Sequence, residues 1–137
     1  MSETARQRDS ETGGRKVRTF RDLIAWQRGM ELAEAVYAAT TQMPGSERFG
    51  LTNQMRRAVV SIPSNIAEGH GRANRPDYIR FLRMARASID ELSTQLELAC
   101  RLGMLPPDPQ LSDLVDEEAR IVQALIRSLE RLNGTAT

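Results

Sequence analysis

Apolar residues recur along this chain at spacings of three and four, the period of an amphipathic helix, in four separate blocks. Thr19-Phe-Arg-Asp22 has the form of a capping box, with Thr19 as N-cap and Asp22 at N3. It predicts a first helix to about Thr41, with Leu23, Trp26, Met30, Ala33 and Tyr37 on the buried face; Pro44 and Gly45 end it. In the second block Thr52 is a candidate cap and Met55, Val59, Ile62 and Ile66 form the stripe. Pro63 inside it removes an amide donor and predicts a kink. That helix is expected to end near Glu68-Gly69, with Gly69 and Gly71 suited to left-handed positions.

The third block is the most regular. Pro76 fits a first turn, and Tyr78, Leu82, Ala85, Ile89, Leu92, Leu96 and Ala99 alternate spacings of four and three without a fault, a 3.5-residue seam. Phe81, Ser88, Gln95 and Leu102 form a row beside it, and Gly103 closes the helix. In the fourth block Asp108 and Pro109 read as N-cap and N1, and Leu111, Val115, Ala119, Val122, Ile126 and Leu129 form the seam. Asp113, Asp116, Glu117 and Glu118 lie near its start, where the helix dipole favours acids, and Asn133-Gly134 suits a stop. No stretch alternates with the period of a strand. Four helices with short connections predict an all-α fold, an up-down-up-down antiparallel four-helix bundle over residues 19–134.

Residues 1–18 carry eight charges and, apart from Met1, only Ala5 and Val17 as apolar side chains. They predict a disordered N-terminal tail, with Arg15, Lys16 and Arg18 a candidate basic arm. The start is polar and lacks a signal-peptide pattern. No apolar run reaches the ~18–20 residues of a membrane span. A soluble cytoplasmic protein without membrane contact is the expectation.

Composition removes most chemistry. One Cys and one His in 137 residues leave no disulfide scaffold, no metal site and no nucleophilic dyad. A di-iron bundle needs two Glu-x-x-His pairs. The only lysine, Lys16, lies outside any phosphate-binding loop. Ser61 and Ser64 have no base beside them. Gly69-His70-Gly71-Arg72 follows a helix instead of opening one from a strand, so it reads as a helix-terminating turn, with His70 on its surface, and Cys100 reads as a packing residue. No enzyme and no cofactor are expected.

The formal net charge of +1 hides an asymmetry. In residues 56–86 seven arginines against Glu68 and Asp77 leave +5; in residues 87–137 four arginines against nine acids leave −5. Arg56, Arg72, Arg75, Arg80, Arg83 and Arg86 are therefore candidates for gathering RNA or DNA phosphates. The alternative is that they are solvated or paired with the chain's own acids. No aromatic residues interleave for base stacking, so any binding would follow backbone and shape. Arg57, Ser61, Asn65 and Glu68 form a polar row on the second helix. It reads as a structural or subunit-contact device in which Arg57 and Glu68 balance each other or a neighbour's charge; a polar site facing a central opening is the alternative.

Several of these segments carry a family resemblance. Phe20-Arg-Asp-Leu23 with Trp26-Gln27, and Gln54-Met-Arg-Arg-Ala-Val-Val-Ser-Ile-Pro-Ser-Asn-Ile-Ala-Glu-Gly69 with Gly71-Arg72, resemble the four-helix-bundle proteins encoded in 23S rRNA intervening sequences. Tyr78-x-x-Phe-Leu82 and Ser88-x-x-Glu-Leu92 match as well; Ala87 and Ser93 depart from the family's usual Gly and Glu. The resemblance covers about residues 19–132. It implies a ring-like homopentamer, and a likeness in fold to the accessory variability proteins of diversity-generating retroelements, which bind a reverse transcriptase and nucleic acid. The expectation is a non-catalytic homo-oligomer that binds RNA or DNA without strong sequence specificity. A module docking a cytoplasmic protein partner, such as a reverse transcriptase, is the alternative.

Overall fold

The computed structural model describes residues 16–135. Residues 1–15, most of the expected tail, lie outside that range. Four α-helices make up the described chain: α1 (Ile24–Thr40), α2 (Leu51–His70), α3 (Arg75–Arg101) and α4 (Pro109–Thr135). Single 3-10 turns precede α1 (Phe20–Asp22) and α2 (Gly45–Glu47). α3 and α4 have 27 residues each, about 40 Å at 1.5 Å per residue. The connectors are far too short to run back along such lengths, so successive helices are antiparallel. α2 packs on α1 and α3, and α4 closes the bundle against α1 and α3.

The third and fourth blocks fold as their spacing predicts. Tyr78, Leu82, Ala85, Ile89, Leu92 and Ala99 are buried, as are Leu111, Val115, Val122, Ile126 and Leu129; Leu96 and Ala119 are half-buried. In the second row Phe81 and Gln95 are buried, Ser88 is half-buried and Leu102 is exposed. Asn74 caps α3 through the Asp77 amide (2.9 Å), and Asp108 accepts from the Leu111 amide (3.1 Å) at the start of α4. α3 ends in a Schellman motif: Met104 N–H reaches Ala99 O and Gly103 N–H reaches Cys100 O. Gly103, at φ 73°, is the only described residue in the left-handed region.

The first two helices depart from expectation in instructive ways. The Thr19/Asp22 capping box is present, but it caps the 3-10 turn; Leu23 (ψ 128°) then breaks the path and α1 begins at Ile24. Upstream of it, Val17 is buried in the same core. The buried face of α1 is Ala25, Gly29, Leu32, Val36 and Thr40. Of the predicted face only Leu23 is buried; Met30 is 39% and Tyr37 43% exposed, and Trp26 and Ala33 are half-buried. A small and a polar residue, Gly29 and Thr40, occupy true core positions, so apolar counting selects the flank instead. Thr52 is buried, not a cap: Gly50 holds the N-cap position and Glu47 Oε1 accepts from the Leu51 amide (3.1 Å). Met55, Val59, Ile62 and Ile66 are fully buried as predicted. α2 runs unbroken through Pro63. Its terminal glycines are not left-handed: Gly69 is buried inside the helix, and Gly71 caps it at φ −82°. At its other extremity, α4 continues through Asn133-Gly134 to Thr135.

Two glycines permit close helix contacts. A Cβ on Gly69 would stand 2.8 Å from Phe81 Cβ and 3.2 Å from the Tyr78 carbonyl oxygen, so α2 and α3 would have to separate. A Cβ on Gly29 would meet Glu118 Oε2 at 2.7 Å and Pro63 Cβ at 3.4 Å. Gly69→Ala is expected to lower stability by about 1–3 kcal/mol in a urea titration, the overpacking cost exceeding the ~1 kcal/mol that Ala gains in helix propensity. Gly29→Ala meets the tip of a side chain instead. It should be destabilising in the native background but stabilising in a Glu118→Ser background, a double-mutant cycle that reads the contact directly.

Candidate functional site

The candidate arginines divide among three places. Arg56 does not face solvent phosphates. Its Nε donates to Thr40 Oγ1 (2.9 Å), Nη2 donates to the Tyr37 carbonyl (3.4 Å), and the guanidinium stacks 4.6 Å from the Tyr37 ring centroid, tying α2 to α1. Arg72 and Arg80 both lie on Phe81, 4.5 and 4.7 Å from its centroid. Each also meets a carboxylate within its own helical segment: Arg72 with Glu68 (2.7 Å) and Arg80 with Asp77 (3.4 Å). Arg83 bridges α3 to α4 through Glu130 (2.7 Å), and Arg86 pairs with Asp90 (2.5 Å). Arg75, half-buried at the start of α3, forms no ion pair among the described residues.

The polar row on α2 is held locally. Ser61 shares a 2.6 Å hydrogen bond with Ser88 of α3 and donates to the Ala58 carbonyl; Asn65 Nδ2 donates to the Ser61 carbonyl. Glu68 turns to Arg72, so the expected balance between Arg57 and Glu68 does not form, and Arg57 is exposed without an ion pair among the described residues. The Ser61–Ser88 bond joins α2 to α3. His70 is the last residue of α2, not a free turn; its ring lies edge-on to Tyr78 with centroids 5.8 Å apart. Cys100 is half-buried and forms no disulfide among the described residues.

The charge pattern conceals one group altogether. Glu118 is fully buried (0% exposed), and neither carboxylate oxygen has a hydrogen-bond partner among the described residues. It faces Gly29 of α1, whose other close neighbour is Pro63 of α2. Above it Arg28 joins Glu31 of α1 (2.9 Å) to Glu117 of α4 (2.8 Å). Burial, more than the charge of Glu117, pushes the Glu118 carboxyl up to about 9; Glu31 adds to the rise, and Arg28 opposes it. The carboxyl is therefore neutral at pH 7. The hydrogen bond and charge of Glu31, aided by Glu117, raise the Arg28 guanidinium in turn.

Among the described residues no group of three or more His, Cys, Asp or Glu side chains could hold a metal ion, and no helix is long and apolar enough to cross a membrane. The arginine-studded four-helix fold agrees with a sequence comparison: the 23S rRNA-intervening sequence protein family matches residues 21–127. The chain belongs to that family. It is similar in fold to a crystallised protein of unknown function from the S23 ribosomal protein family of Bacteroides thetaiotaomicron, with a TM-score of 0.67 at 21% identity, covering 76% of this chain and 96% of that one. No curated protein matches the sequence.

Glu118 makes stability depend on pH in an unusual direction. The unfolded chain loses this proton above about pH 4.5, whereas the folded protein keeps it to about 9. Its contribution is complete below the lower value and is lost as pH rises toward the upper one. Urea midpoints at pH 5, 7 and 9 should fall by up to about 1.4 kcal/mol per pH unit in unfolding free energy, and Glu118→Gln should flatten that trend. An equal slope in the variant would assign the pH dependence elsewhere.

Proposed function

We propose that this protein is a non-catalytic, self-assembling helical bundle of the cytoplasm, a homopentamer, that offers its arginine-rich α2–α3 end to RNA or DNA phosphates. The observation that carries self-assembly is the apolar flank of α1. Trp26, Met30, Ala33 and Tyr37 recur at helical spacing yet remain half-buried or exposed. Val60 of α2, 43% exposed, adds a further apolar side chain outside the core. A stripe with core periodicity outside the core is what a second copy covers.

Nucleic-acid contact is supported by the Arg72/Arg75/Arg80 end. The ion pairs there are exposed, and exposed pairs contribute only about 0–1 kcal/mol, so phosphate can replace the carboxylates at small cost. At that end Tyr78 and Phe81 are buried, which favours backbone contact without sequence preference. The exposed Met84 and Leu98 on α3 support a second reading, docking of a cytoplasmic protein partner such as a reverse transcriptase. Recovery of a stoichiometric protein after nuclease treatment would favour that reading.

Light scattering at micromolar concentration should return five times the 15.3 kDa chain mass, and Met30→Glu with Tyr37→Glu should return a folded monomer. A monomeric native protein sinks the assembly. Anisotropy titrations with mixed-sequence RNA and DNA should give log K against log salt a slope of about −2 to −3, as a few arginine–phosphate contacts require. Arg80→Glu with Arg83→Glu should abolish binding while leaving helix content unchanged; a flat salt response refutes the phosphate contact.

A further inference from the structure

One surface at the α1–α2 turn and one at the α3–α4 connector are complementary in their chemistry. Phe49 is 85% exposed, the most exposed large hydrophobic side chain of the described residues. It is held out by a closed hydrogen-bonded turn: Arg48 N–H reaches Gly45 O, Gly50 N–H reaches Glu47 O (3.0 Å), and Glu47 Oε1 receives the Leu51 amide. Beside it the Arg48 guanidinium lies 5.3 Å from the ring centroid and forms no ion pair among the described residues. The turn thus presents an aromatic side chain and an uncommitted cation together.

The second surface is a cleft of about 460 Å³ lined by the end of α1, the last turns of α3, the α3–α4 connector and the first turns of α4. Its apolar wall is Leu96, Leu105, Leu111 and Val115, with Cys100 among them. Its carboxylates are Glu97, Asp108 and Asp116, and no Arg, Lys or His lines it. Glu97 is paired with Arg101 and Asp108 serves the α4 cap, whereas Asp116 has no partner among the described residues. The cleft therefore accepts an apolar body carrying a positive charge.

We propose that Phe49 of one copy of this chain seats in the cleft of a second copy, with Arg48 meeting Asp116. The inference rests on the self-assembly reading above and specifies its contact. Charge and apolarity favour this occupant: aromatic against apolar wall and unpaired Arg against unpaired Asp, in a cleft with ample room for the ring. Knob and hole are different surfaces, so each copy offers one of each and the contact is heterologous, the kind that closes rings.

Cys100 in the cleft provides the test, because it is the only native thiol. In the full chain, Phe49→Cys under mild oxidation should give a disulfide-linked ladder extending beyond dimers on a non-reducing gel, with 49–100 links by peptide mapping. The ladder should disappear in Phe49→Cys with Cys100→Ser, which can give only 49–49 dimers. An oligomer by light scattering that shows no 49–100 link overturns this contact and leaves self-assembly standing; a monomer overturns both. Independently, Arg48→Glu should weaken association at least tenfold, and adding Asp116→Arg should restore most of it. Loss without restoration overturns the charge contact. Arg48, Phe49 and Asp116 are exposed, so the helical spectrum should be unchanged in their variants.

Discussion

The meeting of α1, α2 and α4 at Glu118 is the constraint around which the rest of the bundle is arranged. A carboxyl at 0% exposure with no hydrogen-bond partner among the described residues is tolerable only without charge, because an unpaired buried carboxylate costs several kcal/mol. Space for it comes from Gly29, where any side chain would strike Oε2. Pro63 faces the same gap and brings no amide proton of its own. One helix gives up its Cβ, another its N–H, and the third supplies a proton-holding group. Arg28, joined to Glu31 and Glu117, ties α1 to α4 just outside.

The surface follows a different logic. Strong local asymmetry between basic and acidic segments ends as pairs: Arg83 with Glu130 across two helices, Arg86 with Asp90, Arg80 with Asp77, Arg72 with Glu68. All are solvent-accessible, so they adjust charge without adding much to stability. What the surface leaves unsatisfied is apolar: the α1 flank, Phe49, and the outer positions Met84, Leu98 and Leu102 of α3. Association therefore has more to gain from covering these than from the arginines alone.

How much could be read in advance depended on whether a position obeyed its own chemistry. α3 and α4 were legible because most of their buried positions are apolar and recur at the seam spacing, and because Asp108 is a short polar residue in a cap position; Asn74, which caps α3, carried no such signal beside Pro76. α1 was not, because Gly29 and Thr40 are buried while Trp26, Met30 and Tyr37 sit on its flank. Thr52 looked like a cap because hydroxyls favour helix starts, but Glu47 reaches that amide from the preceding turn. Glu118 was the hardest: an acid near a helix start fits the dipole equally well exposed, and only the approach of Gly29 and Pro63 from other helices shows that it is buried. The arginines were identifiable as candidates, but their division among Tyr37, Phe81 and Glu130 depends on contacts between elements far apart in sequence.

Phe81 stands at the centre of the basic end of the bundle. Its ring carries two guanidiniums, from Arg72 and Arg80, at nearly equal distances, and each is held a second time by a carboxylate. Long cationic side chains ordinarily surrender about 2 kcal/mol of rotamer entropy when immobilised. Here the buried ring and the carboxylates restrict both side chains in the free protein. The end of the bundle therefore presents its two guanidiniums as a pair on one ring instead of a loose cloud of charge.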